Sequence, residues 1–145
     1  IANVLVGYGV AVITQILIFP IFGLHMTLAQ NLRLADPEAT DEALWQVLED
    51  VALADWVRSR KHGLKTTLGE FGAKVSGGQA RRIALARLLL TKRPLLLLDE
   101  PFAGLDGGTR ERVLASLLRR REQGIIVIVS HQQVAVPEAR HLRIG

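Results

Sequence analysis

The sequence contains no cysteine, one tyrosine and one methionine, and aromatic residues make up only 5% of its 145 positions. The missing cysteines exclude a disulfide scaffold, a Cys-ligated zinc site and a thiol nucleophile in this stretch. A second absence is local: Ile1 to Leu32 contains no Asp, Glu, Lys or Arg, and the first charged side chain is Arg33. All of the formal charge, 18 Lys+Arg against 14 Asp+Glu for a net +4, therefore lies in the remainder. That balance permits binding to nucleic acid or an anionic membrane, and it suits ordinary solubility equally well. A chain of this size buries about two-thirds of the surface it exposes when unfolded, so a core needs neither disulfides nor a metal staple.

The charge-free start is long enough to be tested as a membrane span, because about 20 apolar residues cross a bilayer as a helix. Gly7, Gly9 and Pro20 interrupt it, and Asn3, Thr14, Gln15 and His25 dilute it. Its β-branched run Val10-Ala11-Val12-Ile13-Thr14 reads as a buried parallel strand. Buried strand and loop, a membrane or amphipathic segment, and non-native sequence at a truncated end all remain open. A signal peptide does not fit, since no basic residues precede the apolar part.

Beyond Asp36-Pro37, Thr40 is placed to cap a helix with Asp41 and Glu42 in its first turn and an apolar face continuing to about Leu53. A glycine-punctuated loop is expected from Gly63 to Lys74. Ser76 then sits at an N-cap position before a helix from about Gly78 to Leu90, which Lys92-Arg93-Pro94 should close. Leu95 to Leu98 and Ile125 to Val129 are continuous apolar runs that suit strands buried on both faces. A helix from about Thr109 to Gln123 lies between them. Strands alternating with helices predict an α/β fold with a parallel sheet.

Ligands of open parallel sheets sit at the carboxyl ends of the strands. Both runs end there in polar residues, Asp99-Glu100 on one and Ser130-His131 on the other. One carboxylate can hold a hard cation such as Mg²⁺ through its water shell while its neighbour polarises a water. A plain solvated strand end is the bland alternative. Ser76-Gly77-Gly78-Gln79 opens a helix with two glycines, so that backbone N–H groups and the positive helix end can approach an anion. Alone, such a stretch is more often an ordinary cap.

Together these stretches resemble the ATP-binding-cassette (ABC) ATPases. Val75-Ser76-Gly77-Gly78-Gln79 is similar to the family's signature motif, and Leu95 to Pro101 to its Walker B strand with the adjoining glutamate. Ala103-Gly104-Leu105-Asp106 resembles the D-loop, and His131 falls at the switch histidine. Thr27 to Leu32 and Thr67 to Gly72 resemble exporter elements, Glu70 being the residue that communicates with the membrane domain. The wording around Asn31 to Asp41 and Gln79 to Arg82 is most similar to thiol-reductant exporter subunits associated with cytochrome bd assembly. The resemblance implies a P-loop NTPase-like parallel sheet with flanking helices and a helical signature subdomain, incomplete at its N-terminus. It divides the chain into an uncharged segment 1–32, a helical signature subdomain 33–94, and a Walker B, D-loop and switch part 95–145.

For this family, ATP and Mg²⁺ are the implied cofactors. Asp99 would support Mg²⁺, Glu100 would act as general base on the attacking water, and His131 would contact the γ-phosphate. Ser76, Gly77, Gly78 and Gln79 would bind ATP held by a second nucleotide-binding domain, in a homo- or heterodimer, and Asp106 would join the two sites. Gln15 is placed either as the Q-loop glutamine or as a polar residue of a strand or membrane segment. The other implied partner is an exporter's transmembrane domain, at the cytoplasmic face of the inner membrane, and no nucleic acid is expected.

One element is missing. The phosphate-cradling G-x-x-x-x-G-K-[ST] does not occur, and no lysine precedes Lys61. The expectation is a carboxy-terminal part of an exporter's ATP-hydrolysing subunit, inactive in isolation and active within a full transporter. Two alternatives are a silent module lending its signature motif to a partner's ATP site, and a fragment of a DNA-repair-type ATPase. Trp45 and Trp56 are expected to pack, His25, His62 and His141 to be structural, and Arg119-Arg120-Arg121 to serve a helix C-terminus. Phe102 has no functional reading at this level.

Overall fold

The computed structural model describes residues 26–69, 74–120, 124–131, 134 and 136. Gln15, the alternatives for the uncharged start up to residue 25, His25, Glu70, Arg121 and His141 lie outside them.

The first helix, α1 (Leu28–Arg33), starts at Thr27, whose hydroxyl accepts from Gln30 N while the Gln30 side chain accepts from Thr27 N. This reciprocal capping box satisfies two otherwise orphaned donors. Helix α2 (Asp41–Asp50) begins as expected, with Thr40 Oγ1 accepting from Ala43 N at 3.2 Å. It ends sooner than Leu53, because Ala52 turns to φ +55° and Leu53 N bonds back to Leu48 O. A short helix unforeseen from periodicity, α3 (Ala54–Arg58), follows. After a 3₁₀ turn at Gly63–Lys65, Thr67 pairs antiparallel with Thr27, flanked by Leu28 N to Thr66 O and Leu68 N to Met26 O, each 2.9 Å. The two exporter-like stretches noted in the sequence are thus hydrogen-bonded neighbours.

Helix α4 (Gly77–Leu90) is the centre of the packing, in contact with α1 and α2. From Ile83 to Leu90 every residue is buried, as expected of a helix surrounded by other elements. Its last turn carries Arg87; Lys92 and Arg93, expected to close that turn, lie beyond the Thr91 cap. Burial pushes the Arg87 pKa down.

Strand β1 (Leu95–Asp99) and strand β2 (Ile125–Val129) pair parallel, from Leu95↔Ile125 to Asp99↔Val129. Helix α5 (Gly107–Arg120) makes the crossover that a parallel pair requires. Gly124 fits because a Cβ there would stand 2.1 Å from Pro94 O, the acceptor of Ile125 N. Burial on both faces, expected for these strands, is not observed. Leu96 and Leu98 are buried, whereas Leu97 is 40% and Ile125 67% exposed. Described helices cover one face of the pair and no described element covers the other.

The core runs through Leu28, Leu32, Leu44, Leu48, Leu98 and Leu117. A buried polar contact joins α2 to α5: Ser116 Oγ donates to Asp50 Oδ2 at 2.5 Å, with Arg119 3.6 Å from the same oxygen. Arg119 therefore does more than serve a helix end. Trp45 and Trp56 are half-buried against the core beneath the guanidinium groups of Arg58 and Arg60. The His62 side chain is exposed rather than packed. Phe102 belongs to the core, with Arg110 over its ring at 5.5 Å. Among the described residues no helix is long and apolar enough to cross a membrane.

Candidate functional site

The carboxyl edge of the β1–β2 pair brings together three of the residues singled out by sequence. Glu100 follows β1, takes φ +46° and extends the ladder by one bond, Glu100 N to Val129 O at 2.9 Å. The turn aims its carboxylate at the end of β2. There Ser130 Oγ donates to Oε2 at 3.1 Å, and His131 N donates to Oε1 at 2.6 Å. The imidazole Nδ1 of His131 lies 2.5 Å from the same oxygen, with the ring itself 91% exposed. The His131 backbone bond holds the Glu100 pKa below the usual carboxylate range, helped by Ser130 and opposed by partial burial. Glu100 is therefore an anion at neutral pH, oriented by the neighbouring strand.

Asp99 is the last residue of β1 and is exposed. Among the described residues, no group of three or more His, Asp or Glu side chains surrounds a common point. A lone carboxylate at a strand end does not make a metal cage. It fits Mg²⁺, which keeps several waters and is usually held by one or two carboxylates together with substrate phosphates.

The signature-like turn lies at the start of α4. Ser76 Oγ accepts from Gln79 N at 3.2 Å, and Gln79 Oε1 accepts from Ser76 N at 2.9 Å. Gln79, expected as a nucleotide contact, uses its Oε1 in this cap. A Cβ on Gly77 would meet nothing within 4 Å, and one on Gly78 only Ser76 Oγ at 3.9 Å. Neither glycine has positive φ. Among the described residues, packing thus gives no reason for glycine at positions where alanine would favour the helix.

Helix α5 opens in the same way, with Gly107-Gly108 after Asp106, but its end is already occupied by a carboxylate. Asp106 Oδ1 accepts from Thr109 N at 2.9 Å and Oδ2 from Thr109 Oγ1 at 2.6 Å. The Thr109 bonds lower the Asp106 pKa, with a smaller contribution from the charge of Arg82. A helix start capped by an anion repels a second one, whereas the neutral Ser76 cap leaves the positive end of α4 available. The S-x-x-Q spacing at 76–79 and T-x-x-Q at 27–30 were the sequence signals for the two capping boxes.

One contact that sequence reasoning missed links these regions. Arg81 Nη1 donates to Ala103 O at 3.2 Å, tying α4 to the turn between Glu100 and Asp106. Gln15 lies outside the described residues.

Residues 1–35 match a family of unknown function (DUF7220). The chain is 42% identical over 106 residues to a glutathione/L-cysteine transport system ATP-binding/permease protein, CydC, of Escherichia coli, covering 73% of this chain and 18% of the relative. It is 39% identical over 116 residues to a β-(1→2)glucan export ATP-binding/permease protein, NdvA, of Agrobacterium vitis, covering 80% of this chain and 20% of the relative. A solved bacterial Atm1-family ABC exporter with ATP bound matches with a TM-score of 0.62 and 28% identity, over 74% of this chain and 19% of that one. Its homologues are thus ABC exporter ATP-binding/permease proteins, and the small parallel sheet with helices matches an exporter fold. The chain spans about a fifth of the length of these relatives.

Proposed function

We propose that this chain supplies the signature, Walker B, D-loop and switch elements of an ABC exporter's ATP-hydrolysing unit. The observation that carries the reading is the bare start of α4. Among the described residues nothing packs closely against Gly77 or Gly78, and the cap before them is neutral. Such a surface suits the phosphates of a nucleotide held by a second nucleotide-binding domain, in a homo- or heterodimer.

In that assembly Ser76, Gly77 and Gly78 face the γ-phosphate, and Gln79 stiffens the turn through its cap. Mg²⁺ neutralises phosphate charge when bound, and Asp99 is the residue that would hold it through water. Glu100 accepts a proton from the attacking water, with its two oxygens oriented by Ser130 and His131. His131, whose ring is largely exposed, would turn from its contact with Glu100 Oε1 toward the γ-phosphate. Asp106 belongs to the contact between the two sites. Phosphoryl transfer depends chiefly on positioning and charge stabilisation, which these groups provide. The helical signature part is 33–94 and the Walker B, D-loop and switch part is 95–145, in a P-loop NTPase-like domain.

A transmembrane partner at the cytoplasmic face of the inner membrane is supported by the exporter homologues, and the positive charge then needs no nucleic acid. A small thiol is the cargo we favour, on the strength of the glutathione/L-cysteine relatives.

The sequence has no G-x-x-x-x-G-K-[ST]. A second reading is a silent module that completes a partner's ATP site while carrying out no hydrolysis at its own carboxylate edge. In either reading the isolated 145-residue chain binds ATP weakly and turns it over negligibly. Isothermal titration with Mg-ATP and a phosphate-release assay test this directly. Micromolar affinity with Mg²⁺-dependent turnover by the chain alone contradicts it.

A further inference from the structure

The second and third turns of a helix whose end meets a ligand are where a signal of occupancy can leave it. On α4 two adjacent arginines sit just behind the glycine start. Arg81 donates through Nη1 to Ala103 O at 3.2 Å, spanning 22 residues of sequence. Arg82 donates through Nη1 to Ala52 O at 3.3 Å, at the left-handed turn between α2 and α3.

The turn that Arg81 holds is narrow and specific. Ala103 N bonds to Glu100 O at 3.1 Å and Leu105 N to Phe102 O at 3.2 Å, while Gly104 adopts φ +74°. Phe102 anchors the turn in the core from below. Asp106, two residues beyond Gly104, starts α5 and is within the electrostatic reach of Arg82. The carbonyl of Ala103 accepts from a charged donor, a stronger bond than one between neutral groups. Arg81 is exposed, so no packing requirement explains its direction.

We propose that Arg81 is a positioning residue that fastens the Phe102–Asp106 turn to the signature-like helix, so that the Ser76–Gly78 end and Asp106 are set together. The inference rests on the functional reading above, in which both are nucleotide-interface elements. Through this tie, a nucleotide pulling on the start of α4 moves the turn that leaves Glu100, and loss of the tie lets the two drift independently.

Two measurements separate this inference from that reading. Amide hydrogen exchange on the 145-residue chain reports the tie without any nucleotide. Arg81→Ala should speed exchange at Ala103 and Leu105 about tenfold, the scale of one charge-assisted hydrogen bond lost, while Ile83 to Leu90 keep their protection. Arg81→Lys, which retains a charged donor, should restore most of the protection. Unchanged exchange at Leu105 in Arg81→Ala overturns the tie. In the exporter assembly containing this chain, Arg81→Ala should lower kcat with KM for ATP within about twofold, since positioning is lost and not ground-state binding. A wild-type assembly that turns over ATP with Arg81→Ala equal to it overturns the positioning role. A wild-type assembly without turnover overturns the functional reading itself, and the positioning role with it, even where the exchange result holds.

Discussion

The backbone N–H of His131 donates to Oε1 of Glu100 at 2.6 Å, so the residue after one strand orients the acid after the other. This follows from the register. The pairing that ends at Asp99↔Val129, continued by Glu100 N to Val129 O, places residues 100 and 131 on the same edge. With Ser130 Oγ on the second oxygen, the carboxylate is held at both ends before any ligand arrives. Pre-orientation of this kind lowers the reorganisation that a general base must otherwise undergo.

The lowered pKa values of Glu100 and Asp106 make stability depend on acid in a definite direction. A carboxyl whose folded pKa lies below its unfolded value stabilises the fold above the unfolded value. That contribution fades as pH falls through the folded one. Stability should therefore hold from neutral pH down to about 4 and decline below it. Asp106→Asn, which can still cap α5, should flatten that decline. Urea midpoints between pH 3 and 7 check it, and identical acid slopes for the two proteins would contradict the assignment.

The start of α4 separates stability from function. Ser76→Ala removes the cap hydroxyl and should cost about 1 kcal/mol. Gly77→Ala should do the opposite, stabilising by about 0.5 kcal/mol, because nothing lies within 4 Å of the added methyl and alanine restricts the unfolded chain. Thermal and urea unfolding give both values. On our reading Gly77→Ala also impairs nucleotide-dependent association with the partner domain, a loss that a purely structural glycine would not produce.

The two faces of the sheet should respond differently to substitution. Leu98 is fully buried, so Leu98→Ala should cost about 2–5 kcal/mol through the cavity it leaves. Val127 is 41% exposed on the open face, and Val127→Thr should stay within about 0.5 kcal/mol. Chemical denaturation of the two variants tests this. A large loss for Val127→Thr would show that the exposed face is covered in solution.

What the sequence revealed depended on whether the deciding interaction was local. The α2 and α4 starts were legible at Thr40 and Ser76 because a cap is a matter of three or four residues. The parallel strands and their polar ends at Asp99-Glu100 and Ser130-His131 followed from the apolar runs. Short helices α1 and α3 carry too few turns to establish a period, although the Thr27–Gln30 capping box marked the first. One-sided burial of β1 and β2 was not legible, since a run of leucines looks the same whichever layers are present. The Arg81–Ala103 and Ser116–Asp50 bonds join residues far apart in sequence and had no local signal. Phe102 likewise gained a place, in the core beneath Arg110, only from the fold.

If Glu100 serves, as proposed, as the base of an ATP-hydrolysing exporter site, Glu100→Gln in the assembled transporter removes that base. The amide keeps the size, its one oxygen can still accept from His131 N, and its NH₂ can donate to Ser130 Oγ, but it cannot take a proton from water. Steady-state phosphate release should fall at least about a hundredfold, the scale of lost general-base catalysis, with ATP affinity retained. Turnover equal to the wild type would rule Glu100 out as the base and leave the chain as a silent partner of another site.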